Sequence, residues 1–258
     1  MNDHSDRIWA NIKDWSPLTE IPVNGGKSPN DSSWDRVTAA PADKSDFVQP
    51  AHPSLDSVSA VLTKLLWDIL VYLYSSVSVR IKRLGISGRA FEQAKIEGLE
   101  KGFFIESSAG QITYLIPTQK AFGAFNLPCP YKRDVSLEHS YYVQWTSFML
   151  DKDPRFKSVQ TEVKRGSSGS TSDVITVAHD GTRCAWEVTL STTNVLANAC
   201  KYTDTDFVQI IFLCRDYKLR EAVKAYCREG GLDPDLLAKL DYRHFSQLLR
   251  RQRKLSLY

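Results

Sequence analysis

Apolar residues recur at helical spacing through Val61, Leu65, Leu66, Ile69, Leu70 and Leu73, the signature of one buried helical face. A second helical pattern over 77–84 stops at Gly85, a natural C-cap. Ser87 then caps a third helix, predicted over 88–101. The period drops to two in 103–106 and 111–116, two strands around a turn predicted at 107–110, and 118–125 predicts a short closing helix. After a proline-rich linker at 128–134, Ser136 caps a helix over 137–150 that puts Leu137, Tyr141, Trp145 and Phe148 on one face. Strands are predicted at 158–163, 172–178 and 183–189, then a helix over 194–202. The run 207–214 is continuously apolar, as in a strand covered on both faces, and 219–229 predicts another helix. Residues 1–54 are rich in Pro, Ser, Asp, Asn and Gly and lack a sustained period. They predict an irregular arm carrying the isolated Trp9, Trp15 and Trp34.

This order divides the chain. Three helices and a hairpin in 55–127 follow the order of a winged helix-turn-helix. The α-β-β-β-α-β-α order of 135–241 implies a small mixed sheet flanked by helices. The expected fold class is α/β (α+β), with an acidic arm (1–54), a winged helix (55–127), a mixed-sheet domain (135–241) and a basic tail (242–258). That tail is expected to be a basic helix or a disordered arm.

Charge sharpens the division. The net charge of +3 is spread as −3 over 1–54, +3 over 55–134, −2 over 135–242 and +5 over 243–258. Phosphate contacts are therefore expected in the middle segment and the tail. Arg80, Lys82 and Arg83 precede the predicted turn, and Arg89, Gln93 and Lys95 lie on the predicted recognition helix. Glu92, Glu97 and Glu100 share that helix and would repel a duplex they faced, so a protein-docking role for the domain stays open. Arg250 and Arg251 either grip phosphates or stay in water while the leucines around them pack on the sheet. The apolar run 61–74 is short and broken by Lys64 and Asp68, and the N-terminus is polar and acidic. No membrane span, signal peptide or membrane partner is expected. Five cysteines without a CxxC pair argue against a zinc site or a disulfide framework, and the expected compartment is the cytoplasm.

Candidate chemistry lies in the second half. Asp173 starts one predicted strand and Glu187 sits near the end of the next, so the two carboxylates meet across a hairpin. Carboxylates converging on a hard cation are what Mg²⁺- or Mn²⁺-dependent phosphodiester hydrolysis needs. Glu138, in the helix before the strands, could supply a third carboxylate. Each residue also has a plainer reading. Glu138 suits a helix N-terminus, and Asp173 could end the Ser/Gly-rich loop 166–172. Glu187 is harder to dismiss, because it interrupts the apolar run Ala185, Trp186, Val188, Leu190 and a buried carboxylate needs a partner.

Glu138, Asp173 and Glu187-Val188-Thr189 resemble the PD-(D/E)XK, or restriction-endonuclease-like, pattern of an acid on one strand and Glu-x-Lys on the next. Thr189 departs from it, having no amine where that pattern has lysine. Some members carry the lysine on the following helix, and the resemblance nominates Lys201 for that role. The winged-helix order, Leu137-Glu138-His139-Ser140-Tyr141 and the helix with Asn198 and Lys201 are also similar to the C-terminal region of FtsK/HerA-like ATPases of mobile elements. No phosphate-binding Gly-x-x-x-x-Gly-Lys-[Ser/Thr] occurs in this chain. The resemblance implies DNA as a partner, metal ligation by Asp173 and Glu187, assistance by Glu138 and Lys201, and a setting in plasmid, phage or defence biology. The expected activity is a metal-dependent DNA nuclease. The alternatives are an inactive nuclease-fold accessory that positions DNA for a translocating ATPase, and a winged-helix regulator. A homodimer is left open.

Overall fold

A computed structural model describes residues 57–131, 135–165 and 170–249. They belong to a compact unit, Leu55–Tyr258. Its first part is built from α1 (Ala60–Val71), α2 (Val77–Leu84), α3 (Gly88–Glu100), β1 (Phe104–Ala109), β2 (Ile112–Pro117) and α4 (Gln119–Ala124). Ser59 accepts from the Leu62 amide at 3.2 Å and Ser87 from the Ala90 amide at 3.2 Å, so two of the three main helices start on a side-chain cap. Gly85 ends α2 at φ 62°, a left-handed conformation open to glycine. Leu62, Leu65, Leu66, Ile69 and Leu70 bury one face of α1. On α3, Gly98 lies against the ring of Phe104, where an added Cβ would sit 2.3 Å from Cζ.

The β1–β2 hairpin differs from expectation. Ala109 pairs with Ile112, so the turn is the pair Gly110-Gln111, with Gly110 at φ 67°. Ser107 and Ser108 are therefore strand residues. A polar Ser-Ser pair resembles a turn locally, but here Ser107 points inward to partners that lie far along the chain.

The second part comprises α5 (Leu137–Asp151), β3 (Phe156–Arg165), β4 (Ser170–Ala178), β5 (Arg183–Thr189), α6 (Val195–Cys200), β6 (Gln209–Cys214), α7 (Tyr217–Glu229), α8 (Pro234–Lys239) and β7 (Leu240–His244). The five strands form one sheet in chain order. β3, β4 and β5 are antiparallel, whereas β5, β6 and β7 are parallel. The molecule is thus mixed α/β, with a five-stranded mixed sheet and a two-stranded antiparallel one.

Both faces of the larger sheet are covered, which is why β6 reads as an unbroken apolar run. Ile211 and Leu213 point to one core with Tyr142, Trp145, Trp186 and Val188. Ile210 and Phe212 point to the other, with Val195, Ala199, Val223 and Cys227 under α6 and α7. The first core also takes Ala109, Tyr114 and Ile116 from the hairpin. Tyr114 meets Trp145 edge-on at 4.8 Å between ring centroids. The hairpin and the sheet therefore share one apolar interior.

The end of the chain departs from expectation in part: residues 245–249 are helical, as one of the two expected forms of the tail, but a strand precedes them. Asp233 caps α8, with Pro234 in its first turn, and β7 then adds a fifth strand parallel to β6. Phe245 and Leu248 follow and are buried in the first core. The residues 240–244 are polar in alternation and look like surface, so only the free edge of β6 makes them a strand. Arg250 and Arg251 lie outside the described residues. Among the described residues, no helix is long and apolar enough to cross a membrane.

Candidate active site

The antiparallel pairing of Val174 with Trp186 makes Asp173 and Glu187 the next facing positions on β4 and β5. Glu187 is 2% exposed. Alternation along β5 turns it away from Trp186 and toward α6. That helix ends at Cys200, and the next two residues close on the carboxylate. The Lys201 amine donates to Glu187 Oε2 at 2.7 Å and to the Thr171 carbonyl at 2.8 Å. The Tyr202 hydroxyl bonds Glu187 Oε1 and the Ser172 hydroxyl, the latter at 2.9 Å. Burial, and then the neighbouring Asp173 carboxylate, push the Glu187 pKa up to about 7, against the opposing pull of Lys201 and Tyr202.

Asp173 is held from two sides. Its Oδ2 accepts from the Val188 amide at 2.8 Å, and its Oδ1 lies 3.3 Å from His139 Nε2. His139 sits in the first turn of α5, beside Glu138. Glu138 faces elsewhere: its Oε1 accepts from the Ser107 hydroxyl at 2.5 Å and lies 3.9 Å from Arg215 Nη1. Ser107 is also 2.9 Å from the Tyr142 hydroxyl. Thr189 uses its hydroxyl on the Glu187 carbonyl at 3.2 Å.

The structure thus brings Asp173, Glu187 and Lys201 together and leaves Glu138 to one side, joined to the hairpin. Three residues around the site were not among those expected there: Tyr202, His139 and Ser107. Tyr202 directly follows Lys201, so the turn that ends α6 delivers both the amine and the phenol. A buried tyrosine beside a nominated lysine was the available signal. Ser107 carried no signal, since its partner is 31 residues away.

Among the described residues, no group of three or more His, Cys, Asp or Glu side chains is placed to hold a metal ion. A smaller set fits better. Mg²⁺ dehydrates reluctantly and is commonly held by one or two carboxylates, with waters and substrate phosphate completing its shell. Asp173 and Glu187 are such a pair: burial first, and then the Asp173 charge, disfavour the ionised form of Glu187, and a divalent cation would offset both. Glu138 is not placed as a third ligand.

The residues expected at phosphates separate into two groups. Arg80 is a correction. It is fully buried, and its guanidinium is taken up by the Ser75, Asp68, Tyr72 and Leu73 carbonyls and by Asp68 Oδ2 at 2.7 Å. It closes the C-terminal end of α1 and has no donor left for DNA. Arg83 is bound to the same Asp68 through Nε and Nη2 and lies over the Tyr72 ring. Lys95 is shared between Glu92 and Glu106. Lys82, Arg89 and Gln93 are exposed.

No family model, curated protein or solved structure matches the chain. What the protein does must therefore be read from the geometry around Glu187.

Proposed function

We propose that this protein binds DNA and hydrolyses it as a metal-dependent, restriction-endonuclease-like nuclease, with α1 to α4 and the β1–β2 hairpin acting as a winged helix. One observation carries the proposal: an amine from the helix after the strand stands 2.7 Å from Glu187. Lys201 offers the positive charge that Thr189 lacks. The order α5, β3, β4, β5, α6, β6, with β5 parallel to β6, supports the same reading.

In this reading, Asp173 and Glu187 hold the divalent ion. When bound, the ion supplies Lewis acidity toward the phosphate and a lowered pKa for water. The rest falls to the chain. Lys201 neutralises Glu187 and orients the attacking water. Tyr202 and Ser172 fix the second oxygen of Glu187. His139 and the Val188 amide fix the rotamer of Asp173, so the two carboxylates are set before substrate arrives. Lys82, Arg89 and Gln93 are the exposed groups left to meet the duplex.

The test is incubation with supercoiled, linear and single-stranded DNA in Mg²⁺ or Mn²⁺. Wild-type cleavage, lost in Asp173→Ala, Glu187→Gln and Lys201→Met with binding retained, is the expected result. Cleavage that survives all three substitutions would sink the assignment. A second reading follows from both Glu187 oxygens being already engaged by Lys201 and Tyr202. In it, the site is a structural ion pair, and the protein positions DNA for a partner such as a translocating ATPase. Binding without cleavage in either metal would select it.

A further inference from the structure

We infer that Arg215 is a phosphate-binding residue of this site, taking the nonbridging oxygens of a DNA phosphodiester beside Asp173 and Glu187. The inference rests on the nuclease reading for its substrate.

Arg215 is the first residue beyond β6, and its amide donates to the Thr189 carbonyl at the end of β5, at 3.2 Å. It therefore stands at the carboxyl ends of two parallel strands, where open α/β sheets bind their ligands. Thr189 is two residues from Glu187 on the same strand. Glu138 Oε1 is 3.9 Å from Arg215 Nη1, and the adjoining His139 reaches Asp173 at 3.3 Å. Two neighbouring residues of α5 thus stand between Arg215 and Asp173, one near each.

Arg80, Arg83, Arg155, Arg183, Arg220 and Arg243 each close on a carboxylate at 2.9 Å or less. Arg215 has two carboxylates nearby and closes on neither: Asp216 is 3.5 Å away and Glu138 is 3.9 Å away. Among the described residues, Arg89 and Arg228 also close on no carboxylate but are exposed, whereas the guanidinium of Arg215 is open within reach of Glu138. The near oxygen of Glu138 is the one that Ser107 holds, which keeps it from moving onto the arginine. The side chain is 37% exposed. Two acids keep the guanidinium at the edge of the site while its fork stays open. A planar fork with free N–H groups matches the paired oxygens of a phosphate.

The experiment is an anisotropy titration of a fluorescent DNA duplex with the full chain in EDTA, between about 50 and 200 mM salt. Cleavage in Mg²⁺ is measured in parallel. Arg215→Gln is expected to bind roughly tenfold more weakly at the lower salt. Its slope of log Kobs against log salt should be shallower by about 0.9, the loss of one phosphate contact. Wild-type affinity and slope in Arg215→Gln, with the wild type binding DNA, would overturn the inference and leave the nuclease reading untouched. The altered slope with no cleavage by the wild type would uphold Arg215 and remove the nuclease. A wild-type chain that binds no DNA overturns both. If Arg215→Gln melts below the wild type, Arg215→Lys takes its place. It keeps the charge and loses the fork, so the expected result is weaker binding at an unchanged slope, and wild-type affinity would count against the inference.

Discussion

Glu187 is the residue on which the site turns, and its environment makes its titration visible. Its folded pKa lies near 7 against an ordinary 4.5. The native state therefore holds a proton that the unfolded chain has released between those values. The stability this contributes is present below about pH 4.5 and is lost as the pH rises through about 7, on the order of 2–4 kcal/mol. Urea unfolding in EDTA at several pH values should show this fall in the wild type and its absence in Glu187→Gln. Parallel pH profiles for the two proteins would refute the assignment. On the nuclease reading, added Mg²⁺ should raise the melting temperature most at the high end of that range. The partners of Glu187 make a second prediction. Lys201→Met strands a buried carboxylate and should cost about 3–5 kcal/mol, much of it recovered in the Lys201→Met, Glu187→Gln double variant. Tyr202→Phe removes the hydroxyl's bonds to Glu187 and to Ser172 and should cost about 1–3 kcal/mol. Both values can be read from denaturant midpoints.

Single elements depend on contacts that other elements supply. The C-terminal carbonyls of α1 have no cap of their own beyond Tyr72, and Arg80 from α2 crosses over to close them while pairing with Asp68. Arg80→Ala would leave Asp68, 4% exposed, with Arg83 alone and free the carbonyls at the helix end. A loss of about 3–5 kcal/mol is expected, with helical circular dichroism lost at lower denaturant. The same charge read along the sequence looked like a phosphate contact, because basic residues before a helix-turn-helix are common there. What distinguishes Arg80 is the carboxylate twelve residues earlier, one helix away. By contrast, α6 was legible. A helix is expected over 194–202 and is found at Val195–Cys200, and the amine of Lys201, which the resemblance nominates, lies at Glu187.

At the scale of the whole unit, the hairpin, α5 and the chain end meet in one aromatic interior. Phe245 stacks on Trp145 at 5.4 Å and packs on Tyr142 at 4.6 Å between centroids, and Trp145 in turn meets Tyr114 of the hairpin. Phe245→Ala opens a cavity where three segments join and should cost about 3–5 kcal/mol. The effect should be seen equally by tryptophan fluorescence and by far-UV circular dichroism, because the parts share a core. A change confined to one signal would mean that the segments unfold separately. The same joining ties the hairpin to the start of α5, since Ser107 from β1 holds Glu138.

Periodicity and local chemistry determined most of the elements. Apolar spacing, the Ser87 cap and the glycine after α2 located the three N-terminal helices, and the strand expected at 183–189 is β5, Arg183–Thr189. The lone acid in that strand marked the site, because a carboxylate among Ala185, Trp186 and Val188 has to find a partner when buried. Those signals act over a few residues, within reach of reading along the chain. The tertiary structure alone decided what depends on distant neighbours. It made a strand of the polar segment 240–244, because β6 offers a free row of peptide groups. It turned Arg80 inward, because α1 ends beside it. It separated Glu138 from Asp173 and gave it to Ser107 and Arg215. Each of these is a choice between partners of similar chemistry, and such choices are settled by proximity in space, which spacing along the chain does not encode.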